Sequence, residues 1–161
     1  MKKIIVSLIL ICTMAGVSMA QPRAIGARLG GNVEFSYQHD LAGGSWMMDL
    51  TVGATSFWNK WGAVAATFMF DKVWGIGASN WNWYLGPGFG VGFNYGPYWK
   101  DNGYWPFGLY IGGQIGVEYQ FSIPLNISLD WRPMWNFAGK GTGYGYLGYF
   151  TGVALGLRYR F

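Results

Sequence analysis

Between Trp81 and Tyr95 the chain reads WNWYLGPGFGVGFNY. The odd positions are Trp81, Trp83, Leu85, Pro87, Phe89, Val91, Phe93 and Tyr95, and the even ones are Asn82, Tyr84, Gly86, Gly88, Gly90, Gly92 and Asn94. Successive side chains of a strand point to opposite faces, so this stretch is a ribbon with one bulky apolar face and one small, polar face. Its rings sit mainly toward the two ends, with Leu85 and Val91 nearer the middle. A strand that crosses a bilayer carries its aromatic side chains in this way, at the two headgroup levels.

The alternation recurs along the chain. It predicts strands over Arg23–Leu29, Val33–Leu41, Trp46–Thr55, Gly62–Asp71, Trp81–Tyr95, Trp105–Phe121, Leu125–Phe137 and Tyr144–Phe161. Arg23–Leu41 read as one strand gives a total of seven; a break at Gly30-Gly31-Asn32 gives eight. Bacterial single-chain barrels have even strand numbers, and glycine and asparagine tolerate the positive φ of a three-residue hairpin loop, so the break is preferred. Gly43-Gly44, Lys72–Asn80 and Ser122–Pro124 are then short turns at one end. Gly30–Asn32, Ser56–Trp61, Gly96–Tyr104 and Ala138–Gly143 are loops at the other.

Parity assigns the faces. The outward sets are Ile25, Ala27, Leu29; Val33, Phe35, Tyr37; Met48, Leu50, Val52, Ala54; and Val64, Ala66, Phe68, Phe70. They continue through Leu109, Ile111, Ile115, Val117, Tyr119, Phe121; Leu125, Ile127, Leu129, Trp131, Trp135, Phe137; and Leu147, Tyr149, Val153, Leu155, Leu157, Tyr159, Phe161. None of these outward residues is acidic or basic, as lipid contact requires, since a charge at the midplane costs about 2–4 kcal/mol. The inward sets hold Arg28, Arg132, Arg158 and Arg160 against Glu34, Asp49, Glu118 and Asp130. In a narrow lumen these groups are expected to pair with one another, beginning with Arg28 across the first hairpin from Glu34. The glycines on the inner face leave room for Tyr84, Tyr110, Tyr146 and Phe150. Pro87 and Pro133 fall inside predicted strands, where each removes a ladder hydrogen bond. Gly86 and Gly88 suggest a bulge around the first, and no local signal accounts for the second.

Composition narrows the class further. Residues 1–20 have a basic start at Lys2 and Lys3, an apolar run Ile4–Ile11 and a small-residue site at Ser18-Met19-Ala20, the pattern of a cleaved secretory signal. Residues 21–161 then form one barrel domain. Cys12, the only cysteine, lies in the signal, so the mature chain has neither disulfides nor a thiolate site. Ile11 before it does not suit a lipidation site. Removing Lys2 and Lys3 lowers the formal charge from +4 to +2, and no basic run points to nucleic acid. High apolarity without a spanning helix leaves a closed barrel as the membrane alternative. The fold class read from the sequence is therefore all-β, an eight-stranded antiparallel up-and-down transmembrane β-barrel.

Three stretches carry a family resemblance: NWYLGPGFGVGF, IGGQIGVEYQFSIPLNISLDWRP over Ile111–Pro133, and the ending GLRYRF. With them the chain resembles the small outer-membrane β-barrel family of Gram-negative bacteria, similar in architecture to the OmpA-type transmembrane barrel. The resemblance implies export through the periplasm to the outer membrane, contact with its lipids, and a monomer. It also implies that Leu155, Leu157, Tyr159 and Phe161 are read by the barrel-insertion machinery. No soluble domain follows Phe161, so the peptidoglycan-anchoring role of longer relatives is not carried over.

Candidate chemistry is sparse. His39 has Ser36, Asp40 and Ser45 close in sequence, but parity sends His39 outward and Ser36 inward, which denies a triad its geometry. Glu118, Asp130 and Arg132 form an inward constellation that reads as a structural charge network rather than acid–base machinery. No metal-ligand spacing is present, so no catalytic, cofactor or metal residue is assigned. The aromatic loop Gly96–Trp105 belongs to the outer ring girdle, with surface glycans or envelope proteins as alternative contacts. The expected function is that of a non-catalytic integral envelope protein with a side-chain-filled lumen. Its rivals are a narrow passive pore, a lipid-modifying enzyme, and a soluble barrel of lipocalin type.

Overall fold

The structure, a computed structural model, describes residues 23–55, 63–95, 101, 107–138 and 152–161. The strands are β1 (Arg23–Leu29), β2 (Val33–Leu41), β3 (Trp46–Thr55), β4 (Ala63–Gly75), β5 (Trp81–Asn94), β6 (Phe107–Gln120), β7 (Leu125–Arg132), β8 (Met134–Ala138) and β9 (Gly152–Arg160). The first three have the limits that the alternation sets. The break at Gly30–Asn32 is real, and it places Arg28 opposite Glu34. A 3-10 turn over Ala42–Gly44 joins β2 to β3, with Ala42, Gly43 and Gly44 all at positive φ. The signal segment 1–20, the loop over Ser56–Trp61, most of the aromatic loop Gly96–Trp105, and Tyr146, Leu147, Tyr149 and Phe150 lie outside the described residues.

Every strand pairs antiparallel with its neighbours, and β9 pairs with β1 to close the sheet. β7 and β8 are two pieces of one stave, because both pair with β6 in a register that continues across Pro133. The result is a closed barrel of eight staves. Starting at Glu118 on β6, the register leads through Ser128, Gly156, Arg28, Glu34, Gly53, Ala65 and Gly92. It returns to β6 at Gly108, ten residues from its start. With a rise of about 3.3 Å and a strand spacing of about 4.8 Å, eight staves and that stagger give a tilt of about 40° and a backbone radius of about 8 Å. An interior of that width is filled by side chains. The 14 residues of β5 then rise about 35 Å along the barrel axis, enough to cross a hydrocarbon layer of about 30 Å.

The prolines act in a way the alternation does not reveal. They share one outward-facing level, Phe70–Pro87–Gly113–Pro133, across β4, β5, β6 and the β7–β8 stave. Gly113 donates its N–H to the Pro133 carbonyl at 3.1 Å, and Pro133 has no N–H to return. The ladder is interrupted there, which splits the predicted strand Leu125–Phe137 in two. The groups of Gly113 thus face the β7–β8 stave, so those of Pro87 face β4, where the ladder skips Phe70 and Asp71. The expected bulge at Gly86 and Gly88 is absent: the register on either side of the gap is the same. The irregularity in the sheet lies between Leu109 and Tyr110 instead.

β4 also runs four residues past the expected Asp71, so the turn over Lys72–Asn80 shrinks to 76–80. This puts Lys72 on the outward face, correcting the expectation of an uncharged exterior. It lies at the end of the barrel near Arg23 and Phe161, with its Nζ 5.2 Å from the centre of the Trp46 ring.

Candidate functional site

The face assignment of every described side chain follows the predicted parity. Outward positions are exposed apolar side chains, among them Leu50, Phe89, Ile111, Leu129, Leu155 and Tyr159, and Trp135 reaches 73% exposure. Rings gather toward the ends of the staves. Trp46 stacks on Phe70, Trp74 stacks on Trp83, and Trp81 and Phe121 both meet Tyr119 at the end carrying the short turns. Phe93 meets Phe107 at the opposite end. His39 faces outward beside Tyr37, whose hydroxyl stands 3.4 Å from Nδ1, while Ser36 points inward to Asp49 and Arg158. The two halves of the hypothetical triad are therefore on opposite sides of the wall.

The lumen is occupied by a chain of alternating charge. Asp130 contacts Arg28 at 2.6 Å, and Arg28 contacts Glu34 at 2.9 Å. Glu34 lies 3.9 Å from Arg132, Arg132 lies 3.2 Å from Asp49, and Asp49 lies 3.3 Å from Arg158. Three arginines and three carboxylates thus form one line through the barrel, and each has a side chain at most 3% exposed. Hydroxyls and amides take up most of the remaining valences. Arg132 donates to Thr51 and Thr67, and Arg158 donates to Ser36 and Ser128. Ser36 and Gln38 donate to Asp49, and the Tyr84 hydroxyl donates to Asp130 at 3.4 Å. Low-dielectric burial makes an unpaired charge costly, and this arrangement leaves none unpaired along the line.

Two of the eight expected lumen charges stand apart from that line. Glu118 accepts hydrogen bonds from Gln120 and Asn126 rather than joining Asp130 and Arg132, which corrects the single inward constellation expected from the sequence. The register explains it, since Glu118 lies level with Ser128, whereas Asp130 lies level with Gly116. Arg160 is half-buried near the turn end, where it donates to Gln120 and to the carbonyl oxygens of Phe121 and Ile123. Asp71, on the inward face of β4 and fully buried, is a lumen acid absent from the expected set. Its parity with Met69 was the available signal.

The glycine wall of β5 and β6 receives the bulky interior side chains. A Cβ on Gly116 would stand 2.5 Å from the Tyr84 ring, and one on Gly108 would strike Tyr110. Met69 lies over Gly88 and Met134 over Gly112 in the same manner. Tyr84 and Tyr110 thus fill the space that the glycines were expected to leave. Leu155, Leu157, Tyr159 and Phe161 are all outward and exposed at 44%, 48%, 54% and 62%. Among the described residues no group of three or more His, Cys, Asp or Glu is arranged to hold a metal ion. No family model matches the chain, and a search of curated proteins returns no relative.

Proposed function

We propose that the protein is an integral outer-membrane barrel of the small OmpA-like type, with a structural or interaction role in the envelope and a lumen closed by its own side chains. The observation that carries this reading is the inversion of polarity. Exposed apolar side chains cover the outside, and six mutually paired charges lie buried inside. A barrel dissolved in water would carry those charges outside. Such a protein reaches its place by export, is inserted by the barrel-assembly machinery through its last strand, and functions as a monomer among the membrane lipids. Ser36 and His39 share no face, which favours this role over that of a lipid-modifying enzyme built on Ser36, His39 and Asp40.

Cell fractionation with a heat-modifiability gel tests the location: the folded barrel is expected in the outer-membrane fraction, with a mobility that changes on boiling in detergent. Recovery in the soluble periplasmic fraction would overturn the reading. Planar-bilayer recordings test the closed lumen. Absence of conductance steps is expected, and reproducible steps from purified protein would replace the plug by a pore.

A further inference from the structure

Among the described residues one fully buried lumen acid has neither an ion pair nor a hydrogen bond. The three central arginines are matched by Glu34, Asp49 and Asp130, and Asp71 takes part in none of these ion pairs. Both of its carboxylate oxygens are buried without a hydrogen-bond partner. The charged groups within electrostatic reach of it are Asp49, Asp130 and Arg132. Two of these are negative, and Arg132 already faces Asp49 and Glu34.

A second orphan stands on the same inward level. The register sets Asp71, Gly86, Gln114 and Arg132 on one inward level. Gly86 contributes no side chain, and the Asp71 carboxylate lies over it. Both amide atoms of Gln114 are unpartnered although the residue is only 1% exposed. Five of the buried unpartnered atoms described, from Asp71, Gln114 and Arg132, thus share one level. Asp71 and Gln114 do not hydrogen-bond each other across it.

The backbone adds another oxygen. The Phe70 carbonyl faces Pro87, which has no N–H to donate. It touches the point where a Gly86 Cβ would sit, and Asp71 Oδ1 lies 2.7 Å from the same point. The carboxylate, this carbonyl and the Gln114 Oε1 all accept, and the carboxylate brings one uncompensated negative charge. Oxygen ligands stand about 2.3–2.6 Å from a cation of calcium's size. Oxygens that share such an ion do not hydrogen-bond one another, and Asp71 and Gln114 make no hydrogen bond.

We propose that the level of Asp71, Gly86 and Gln114 is a buried site for a monovalent cation of the sodium class, bound by the Asp71 carboxylate, the Phe70 carbonyl and the Gln114 amide oxygen. One carboxylate matches a single positive charge; a divalent ion calls for several. Pro87 has a role here: having no N–H, it leaves the Phe70 carbonyl without its ladder donor and so available to the ion. The site depends on the closed barrel and not on its placement in the outer membrane, so it stands or falls separately from the proposed location.

The test is thermal unfolding of the refolded full chain in detergent at one pH and constant ionic strength, with sodium, potassium or choline as the cation. The unfolding midpoint is expected to rise with sodium concentration at the expense of choline, as it does for any ligand of the folded state alone. Asp71→Asn is expected to abolish this dependence, and Gln114→Leu to shift it to higher sodium concentration. Equal midpoints of the wild-type protein in sodium, potassium and choline would overturn the proposal and leave a proton as the group that neutralises Asp71. A sodium dependence that survives in Asp71→Asn would overturn it as well. Should Asp71→Asn fail to fold, the wild-type salt comparison and Gln114→Leu still decide.

Discussion

Asp49 is the residue on which the lumen line depends most, and Asp49→Asn tests that dependence. Its Oδ2 serves Arg132 at 3.2 Å and Arg158 at 3.3 Å, and its side chain is fully buried. Without it Arg132 retains the hydroxyls of Thr51 and Thr67 and, as its one ion pair, the longer 3.9 Å contact to Glu34. Arg158 retains only the hydroxyls of Ser36 and Ser128, both at 2.7 Å. Breaking a buried pair from one side typically costs about 3–5 kcal/mol, because a charge is left without a partner. Glu34→Gln is the contrasting change. Arg28 keeps Asp130 at 2.6 Å and Arg132 keeps Asp49, so the loss is that of a charge-assisted hydrogen bond, about 1.5–3 kcal/mol. Equilibrium urea unfolding in lipid vesicles, followed by tryptophan fluorescence and extrapolated linearly, measures both. Asp49→Asn is expected to be the more destabilising, and adding Arg158→Met to it should recover part of the loss. A reversed order, or an Asp49→Asn effect below about 1 kcal/mol, would show that water reaches the lumen and screens these charges.

Three further outcomes are expected. Leu50→Arg, outward on β3 between Tyr37 and Phe68, should destabilise the vesicle-inserted barrel by about 2–4 kcal/mol, against little for Leu50→Ala in the same titration. Gly116→Ala sets a methyl 2.5 Å from the buried Tyr84 ring, and overpacking of this kind costs about 1–3 kcal/mol. An unchanged urea midpoint would mean that the ring has room to move. Deleting Phe161, which lies beyond the last ladder pair of β9, should lower the amount assembled in outer-membrane fractions while leaving the unfolding midpoint of refolded protein unchanged; equal assembly would remove its role as an insertion signal.

The faces were legible because a period of two needs only side-chain polarity, and closure then fixes the strand count through the hairpin at Gly30–Asn32. Arg28 and Glu34 were readable as a pair for the same reason: a three-residue loop sets their register. Longer connections carry no such constraint. The stagger that sets Glu118 beside Ser128 and brings Arg158 to Asp49 is a property of the whole ring, invisible in any local pattern. The extension of β4 was hidden by Lys72, whose charge next to Asp71 reads as the start of a turn. In the structure the acid points into the lumen, and the lysine reaches along the Trp46 ring. Pro133 had no sequence explanation because its effect lies in a neighbouring strand, in what Gly113 gives and cannot receive.

The six residues of the charge line come from β1, β2, β3, β7 and β9, which are adjacent around the ring. The wall made by β4, β5 and β6 is held to them mainly by Tyr84, Thr67 and the packing of Met69, Met134 and Tyr110 over glycine. The barrel therefore has a stiff arc and a compliant one. Thermal breathing of the closed ring concentrates where none of these ion pairs crosses the lumen and where Pro87 has already removed a rung. Backbone amides of β4 and β5 around that rung should exchange with deuterium sooner than those of β1, β2 and β9. If such a barrel is ever forced open, by heat, denaturant or a molecule entering from one end, this is the side that yields first.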